Sequence, residues 1–572
     1  MSGAEIPDRQ WWKESVVYQI YPRSFNDSDG DGVGDLPGIT QKVGYLDDLG
    51  VDVVWICPVY ESPNADNGYD ISDYRSIADQ FGTMADWEDL LTELHAHDMR
   101  LLMDLVVNHT SDEHEWFQRS RHREDGYEEY YYWRDGGVDE NGDPVPPNNW
   151  ESFMGGSAWT YDESRNQWYL HLFDEKQPDL NWRNPTVRDE IASLADWWLR
   201  KGIDGFRLDA INYISKPDGL PDGTVDREPK GVEVFSHGPR IHEYLRELYE
   251  RTFSNYDAMT VAEMSDTTVE MADDYLGQSG DGLDMISHFE HMHLDVSSRG
   301  RFDPERWGEW SLPEFKEIMS RWQTELGADA WTAQYLGNHD QPRIVSRFGD
   351  DDTYRIESAK LLATFLLTAR GTPFVYQGEE IGMTNDDFRR MDELDDPMTI
   401  GAIEDLLDAD RAESYEELRE FVNYVSRDHA RTPMHWSDTA NAGFTTGDPW
   451  LALNQNYPDI NVESARADEG SIWHYYRKLI DLRHDEDTVV YGEYELLLPD
   501  HEQLYVYTRT LGDETVLVVL NWSDIPATFD ADGVDTGDTE LLLGNYDDAP
   551  VDPSGHEFRP YEAVVHRLSQ TG

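Results

Sequence analysis

Eight short apolar runs recur along this chain, at residues 16–25, 51–59, 100–109, 202–211, 257–264, 283–292, 330–338 and 372–377, with helix-like stretches between them. Strand-length runs alternating with helical periodicity imply parallel strands joined by crossover helices. Eight such units close a sheet on itself, so the pattern predicts an α/β fold, a (β/α)8 TIM barrel. In VRDEIASLADWWLRK the apolar residues Val187, Ile191, Leu194 and Trp198 fall on one helical face. A second helix is predicted to open at Pro239, a residue suited to a first turn, and to run through Ile241, Leu245 and Leu248.

Two stretches break the repeat. Residues 110–175 are too long for a simple crossover and rich in Gly, Pro, Tyr and Trp, which predicts a small domain inserted after the third strand, beside the top of the barrel. After an amphipathic helix near 470–483, the alternation in LYVYTRT and ETVLVVLNWS predicts a C-terminal β-sandwich. The expected organisation is barrel over 1–109, inserted domain over 110–175, barrel again over 176–485 and β-sandwich over 486–572.

Asp and Glu number 117 against 46 Lys and Arg, a net charge of −71, and only nine of the basic residues are Lys. The acids are spread along the length and the chain carries 20 Trp and 31 Tyr, so this is a folded protein with a halophilic composition rather than an acidic tail. Such a charge argues against nucleic acid and anionic lipid as partners. Cys57 is the only cysteine, which excludes an internal disulfide and suits a reducing compartment. The N-terminus has no apolar leader and no 18-residue apolar run occurs, so a cytoplasmic location is expected. The sequence leaves the oligomeric state open.

Barrel chemistry is built at the C-terminal ends of the strands. The polar residues closing the proposed strands are Asn108 and His109, then Arg207 and Asp209, then Glu263, then Asn338, His339 and Asp340. Arg207 and Asp209, two apart on a strand, share a face, so the guanidinium is expected to lower the Asp209 pKa and keep it a carboxylate. Ala262 and Met264 give Glu263 an apolar setting that is expected to raise its pKa. One ionised and one protonated carboxyl on one mouth suit a nucleophile beside a general acid.

These residues sit in motifs that resemble glycoside hydrolase family 13, the α-amylase superfamily. DLVVNH (104–109), GFRLDA (205–210), the Glu of TVAEM and NHD (338–340) match its main signature regions in order, and QPDLN (177–181) resembles a fifth in its α-glucosidase and oligo-1,6-glucosidase branch. YQIYPRSFNDSDGDGVGDLPGI and SRDHARTPMHW extend the likeness, with His429 and His435 standing where the branch usually has Asn and Gln. The resemblance implies Asp209 as nucleophile, Glu263 as general acid/base and Asp340 as transition-state stabiliser. It implies substrate contacts from Tyr69, Asp70, His109, Phe153, His171, Arg207, Ala210, Phe289, His339, Arg343 and Arg427. Asp70 is expected to pair with Arg427, rather than Arg431, and close the pocket behind one sugar.

Asp27, Asp29, Asp31, Val33 and Asp35 follow the alternate spacing of a calcium loop, with Gly32 at the turn and Gly38 where a twelfth-position Glu would stand. With the same loop in the resembled branch, they are expected to hold a structural Ca²⁺ or Mg²⁺; no organic cofactor is expected.

The activity implied is that of a retaining exo-α-glucosidase on short oligosaccharides, with α-1,4 linkages preferred. In the resembled branch a Val after the nucleophile accompanies α-1,6 cleavage, and here that residue is Ala210. Oligo-1,6-glucosidase, trehalose- or sucrose-directed hydrolase, and glucosyl transferase or isomerase share the same trio. A non-catalytic partner module of this family would lack part of the trio and carry a membrane span, neither of which is the case here.

Overall fold

The computed structural model describes residues 9–568 apart from 226, 228, 277–280, 298–299, 305–306, 328–329 and 531–538. Residues 1–8, where no apolar leader is expected, lie outside the described residues. Each apolar run contains one parallel strand: β1 (Val17–Ile20), β2 (Val53–Ile56), β3 (Arg100–Val106), β4 (Gly205–Asp209), β5 (Met259–Met264), β6 (Met285–His288), β7 (Ala333–Gln334) and β8 (Thr372–Tyr376). They are ordered β6-β5-β4-β3-β2-β1-β8-β7, and a parallel bridge between Ile286 and Thr332 joins the two ends into a barrel. Strands covered on both faces bury nearly every side chain, which is why they read as continuous apolar runs.

The helix α1 (Pro185–Lys201) starts where Asn184 accepts a hydrogen bond from the Thr186 N–H and Pro185 takes the first turn. It stops at Gly202, whose φ of 107° few side chains tolerate. α2 (Ile241–Arg251) buries Ile241, Leu245 and Leu248 as the period requires, but begins two residues after Pro239.

Within the inserted stretch, Trp133–Arg134, Gln167–Leu170 and Trp159–Asp162 form a three-stranded antiparallel sheet. Its aromatic core, Tyr132, Trp150 and Trp159, packs on Ala210, Tyr213 and Phe235, so it leans on the loop that leaves β4. After β8, helices α3 (Pro397–Asp408) and α4 (Tyr415–Val425) pack as a hairpin around Ile403, Leu406, Leu418 and Phe421. The helix α5 (Ile472–Asp485) precedes the C-terminal domain.

That domain is a five-stranded antiparallel sheet in which β9 (Glu493–Leu497), β10 (Leu504–Leu511), β11 (Glu514–Asn521), β13 (Ala563–Leu568) and β12 (Thr539–Gly544) lie in that order, with a small two-stranded sheet beside it. The alternation separates two cores rather than core from solvent. Tyr505, Tyr507, Val516 and Val518 join the barrel's core, whereas Leu504, Val506, Leu517 and Val519 pack on Phe529 and Phe558. No helix among the described residues is long and apolar enough to cross a membrane.

Candidate active site

The ends of β3, β4, β5 and β7 open on one cavity of about 260 Å³. Strand register builds its floor. Arg207 of β4 stands opposite Asp104 of β3 and Val261 of β5, and Asp209 and Glu263 each follow two residues later, on the same side of the sheet. Arg207 is 3% exposed; its Nη1 donates to Asp104 Oδ1 at 2.8 Å and contacts Asp209, and its Nη2 contacts Glu263. The Ala210 N–H donates to Glu263 Oε2 at 3.0 Å. Asp340 Oδ1 accepts from Arg427 at 3.0 Å and Arg431 at 2.9 Å, and its Oδ2 lies 3.1 Å from His339 Nε2.

The electrostatics correct one expectation. Burial pushes Asp209 up to about 7 despite the pull of Arg207, because one guanidinium is divided among Asp104, Asp209 and Glu263. Burial also pushes Glu263 up to about 7, as its apolar setting predicts. Two such carboxyls on one guanidinium titrate as a pair near neutrality. Asp340 differs: burial opposes its ionisation, yet His339, Arg427 and Arg431 together hold it well below the usual carboxylate range. Burial lowers His109, and lowers His339 to about 3, so both present neutral imidazoles.

Of the residues singled out in the sequence, Tyr69, His109, Phe153, Asp209, Ala210, Glu263, Phe289, Asp340 and Arg427 line the cavity. Arg207 and His339 lie behind its wall; His339 stacks on Tyr69 with ring centroids 5.2 Å apart. Three residues are elsewhere. Asp70 is fully buried and caps the N–H groups of Ala65 and Asp66 at 2.9 and 3.1 Å, so it cannot face Arg427. Asp66 takes that place, on the cavity wall with Oδ1 3.6 Å from Arg427 Nη2. His171 braces the inserted sheet through Thr160 Oγ1 at 2.9 Å and the Phe173 carbonyl at 2.8 Å. Arg343 is spent on the carbonyls of His429 at 3.0 Å and Gln377 at 2.6 Å. Arg431 donates to the His339 carbonyl at 3.1 Å from behind the wall, leaving Arg427 as the arginine in the cavity's end. His429 and His435 are buried and also off the wall: His429 Nδ1 accepts from the Asp386 N–H at 3.0 Å, and His435 Nδ1 lies 2.9 Å from the Ile460 carbonyl.

The sequence reading missed Asp66, Asp104 and Asp396. Asp66 precedes Tyr69 by three in NADNGYD, and Asp104 opens DLVVNH, so both lay inside motifs already marked. Asp396 caps α3 through the Met398 and Thr399 N–H groups and accepts from Arg427 Nε at 2.9 Å. Gln177 of QPDLN joins Asp66 at 3.1 Å to His109 at 3.1 Å.

In the acidic loop, Asp27, Asp29 and Asp35 bring carboxylate oxygens within 4.8 Å of one another, which fits a hard cation with oxygen ligands. Asp31 is not part of that group; its Oδ1 accepts the Val33 N–H at 2.8 Å.

Residues 19–492 match the family described as Alpha amylase, catalytic domain, and residues 494–565 that described as Maltogenic Amylase, C-terminal domain. The chain is 51% identical to an oligo-1,6-glucosidase of Parageobacillus thermoglucosidasius over 98% of this chain and 99% of that one. It is 45% identical to an alpha-glucosidase of Pediococcus pentosaceus over 98% and 99% of the two chains. Among solved structures, a trehalose-6-phosphate hydrolase of Bacillus licheniformis superposes with a TM-score of 0.92 at 44% identity, covering 98% and 100% of the two chains. Eight parallel strands carrying acidic residues to one mouth, and a match that spans the barrel and the C-terminal sheet together, place this chain in glycoside hydrolase family 13, the α-amylase superfamily, as an enzyme.

Proposed function

We propose that the protein is a retaining, exo-acting α-glucosidase that releases glucose from the non-reducing end of short α-glucosides, with α-1,4 linkages preferred. The observation that supports the exo reading is Arg427 on the cavity wall between Asp66 and Asp340, a bridge that would close the cavity behind one terminal sugar. Tyr69 and His109 at that end supply a ring face and a neutral donor for its hydroxyls.

The reaction follows from the carboxyl pair. Asp209 attacks the anomeric carbon while Glu263 gives its proton to the leaving oxygen, forming a glucosyl ester and free aglycone. Water then gives a proton to Glu263 and its oxygen to the anomeric carbon, and Asp209 leaves as carboxylate. Retention is supported by the contacts that hold both carboxyls on adjacent nitrogens of Arg207, since an inverting pair must stand far enough apart to admit a water. Asp340, anionic throughout, faces the positive charge that develops on the sugar.

A second reading, α-1,6 preference, is favoured by the 51% identity to an oligo-1,6-glucosidase. Ala210 lines the cavity with φ 45° and ψ 34°, a left-handed conformation in which a β-branched side chain is strained. With the smaller side chain the wall stays wide enough for an α-1,4-linked aglycone. Glucose release from maltose, isomaltose, sucrose and trehalose, with the anomer followed by NMR, decides between them. Maltose as the best substrate with α-glucose as first product is expected; β-glucose excludes retention, and isomaltose as the best substrate reverses the linkage assignment.

Asp27, Asp29 and Asp35 would hold a structural Ca²⁺ or Mg²⁺, with the Val33 carbonyl as a further oxygen ligand. The cation would tie the loop's carboxylates together and take no part in bond cleavage. Chelation is then expected to lower Tm without changing kcat at a temperature where the fold persists, and Asp27→Asn should abolish the response to chelator.

A further inference from the structure

We propose that the aglycone side of this cavity recognises an anionic group, a carboxylate or phosphate on the leaving sugar, through Arg301; the proposal rests on the α-glucosidase reading above. Three arginines line the cavity, Arg301, Arg347 and Arg427. Arg347 is neutralised by Asp295, with Nε 3.1 Å from Oδ2 and Nη2 2.5 Å from Oδ1. Arg427 is neutralised by Asp396 and Asp340. Arg301 has neither kind of partner: its Nη1 donates to the main-chain carbonyl of Asp340 at 2.6 Å, its Nη2 to that of Val425, and among the described residues no carboxylate forms an ion pair with it.

Its position fits a leaving group. Arg301 touches the backbone of Asp340, one of the three acids in the cavity, so an anion beside it lies within a sugar ring of the cleaved bond. Arg427 reaches Asp340 through its carboxylate and faces Asp66, whereas Arg301 reaches Asp340 through its main chain and belongs with Phe289, Met292 and Val296 to the stretch that follows β6. The nearby carboxylates are already held, Asp295 by Arg347 and Asp340 and Asp396 by Arg427 and Arg431. In a chain with 117 acids to 46 bases, a cavity guanidinium without an acid is the exception.

The physical case is one of an incomplete site. A half-buried charge without an ion-pair partner is left partly uncompensated, and an arriving anion offsets that cost. Two carbonyl bonds fix the planar fork and leave further N–H donors for a ligand, so little freedom is lost on binding. Burial lowers Arg301 to about 10, with Arg347 and Arg427 acting in the same direction, which still leaves it cationic at neutral pH. The competing role is a staple that merely ties its own loop to Val425.

The test compares kcat/KM at one fixed salt concentration for two matched pairs: maltose with maltobionate, and trehalose with trehalose 6-phosphate. Wild type, Arg301→Gln and Arg301→Lys are assayed. At least one anionic member is expected to exceed its neutral partner by about tenfold or more, the scale of one charge-assisted contact. Arg301→Gln should bring that ratio to about one, and Arg301→Lys should leave it between. The pair that responds tells carboxylate from phosphate. A wild type that hydrolyses the neutral sugars but favours neither anion overturns this proposal alone. So does an Arg301→Gln enzyme that keeps the ratio, or one that loses rate on all four substrates alike together with Tm, the mark of a staple. A wild type inactive on both neutral sugars removes the underlying reading as well.

Discussion

Asp209 and Glu263 are the residues whose environments set what this protein can do, and their shared partner decides how. Because Arg207 serves both, neither carboxyl is ionised by its own private counter-charge, and each is pushed to about 7 by burial. In the reaction proposed above, the proton on the pair sits on Glu263, which gives it to the leaving oxygen. kcat/KM on maltose is therefore expected to fall as pH rises through about 7, and the fall should vanish on an aryl glucoside whose leaving group needs no proton. Persistence of the same alkaline limb on both substrates would remove Glu263 as the acid. Asp209→Asn should lower kcat by several orders of magnitude, each tenfold being about 1.4 kcal/mol of barrier, with circular dichroism unchanged. Stability carries the same signature. A carboxyl raised from 4.5 to about 7 favours the fold below its ordinary pKa, and that contribution is lost as pH climbs toward 7. Urea unfolding at pH 5 and pH 8 should show wild type losing up to about 3 kcal/mol from this group, a part of the slope that Glu263→Gln removes while the part owed to Asp209 stays. Ala210→Val is expected to lower kcat/KM on maltose more than on isomaltose. That ratio is read independently of the strain the Val introduces at φ 45°.

At the scale of elements, the barrel strands were legible because each is an apolar run buried on both faces, and their C-terminal residues announced the site. What the sequence could not give was which acid of a cluster faces the cavity. Asp66 and Asp70 stand four apart in one loop, and only the fold shows Asp70 turned back to cap its own backbone. The hairpin of α3 and α4 escaped for a different reason. Its helices bury a stripe against each other and the rim rather than completing a repeat, so no motif in the sequence marked Asp396 as the partner of Arg427. β4 offers the sharpest test of how elements fix the chemistry. Gly205 has φ 154°, and a Cβ there would lie 2.0 Å from the Met259 carbonyl oxygen of β5. Gly205→Ala must therefore part the two strands that carry Asp209 and Glu263. A loss of about 1–3 kcal/mol in stability is expected, with kcat down about a hundredfold from the misplaced carboxyls. A variant that keeps wild-type kcat would mean the spacing of these strands is not what positions the pair.

For the whole molecule, most of the net charge of −71 lies on the surface, and several of the basic residues are buried in structural roles. Arg483 is buried and bonded to the Lys13 and Gly371 carbonyls at 2.9 and 2.7 Å, Arg509 to those of Thr368 and Gly492 at 2.7 and 2.8 Å, and Lys316 to those of Leu498 and His501 at 2.8 and 2.7 Å. These cations brace the barrel and its junction with the C-terminal sheet from inside, so the exterior is left with fewer bases than the composition suggests. At molar salt a Debye length of about 3 Å confines each exposed acid to its neighbours, whereas at about 0.01 M it grows to about 30 Å and most of the surface repels itself. Compact folding is then opposed by the whole charge distribution rather than by any one pair. Dialysis from molar KCl into low-salt buffer is expected to lower Tm steeply and to abolish glucose release. Restoring ionic strength should recover both, and an isosmotic neutral solute should not match it, since screening and not water activity is the cause. Unchanged circular dichroism and activity after dialysis would mean that the buried cations and the hydrophobic core outweigh the surface repulsion unaided, and that the acidic composition is not a requirement for salt.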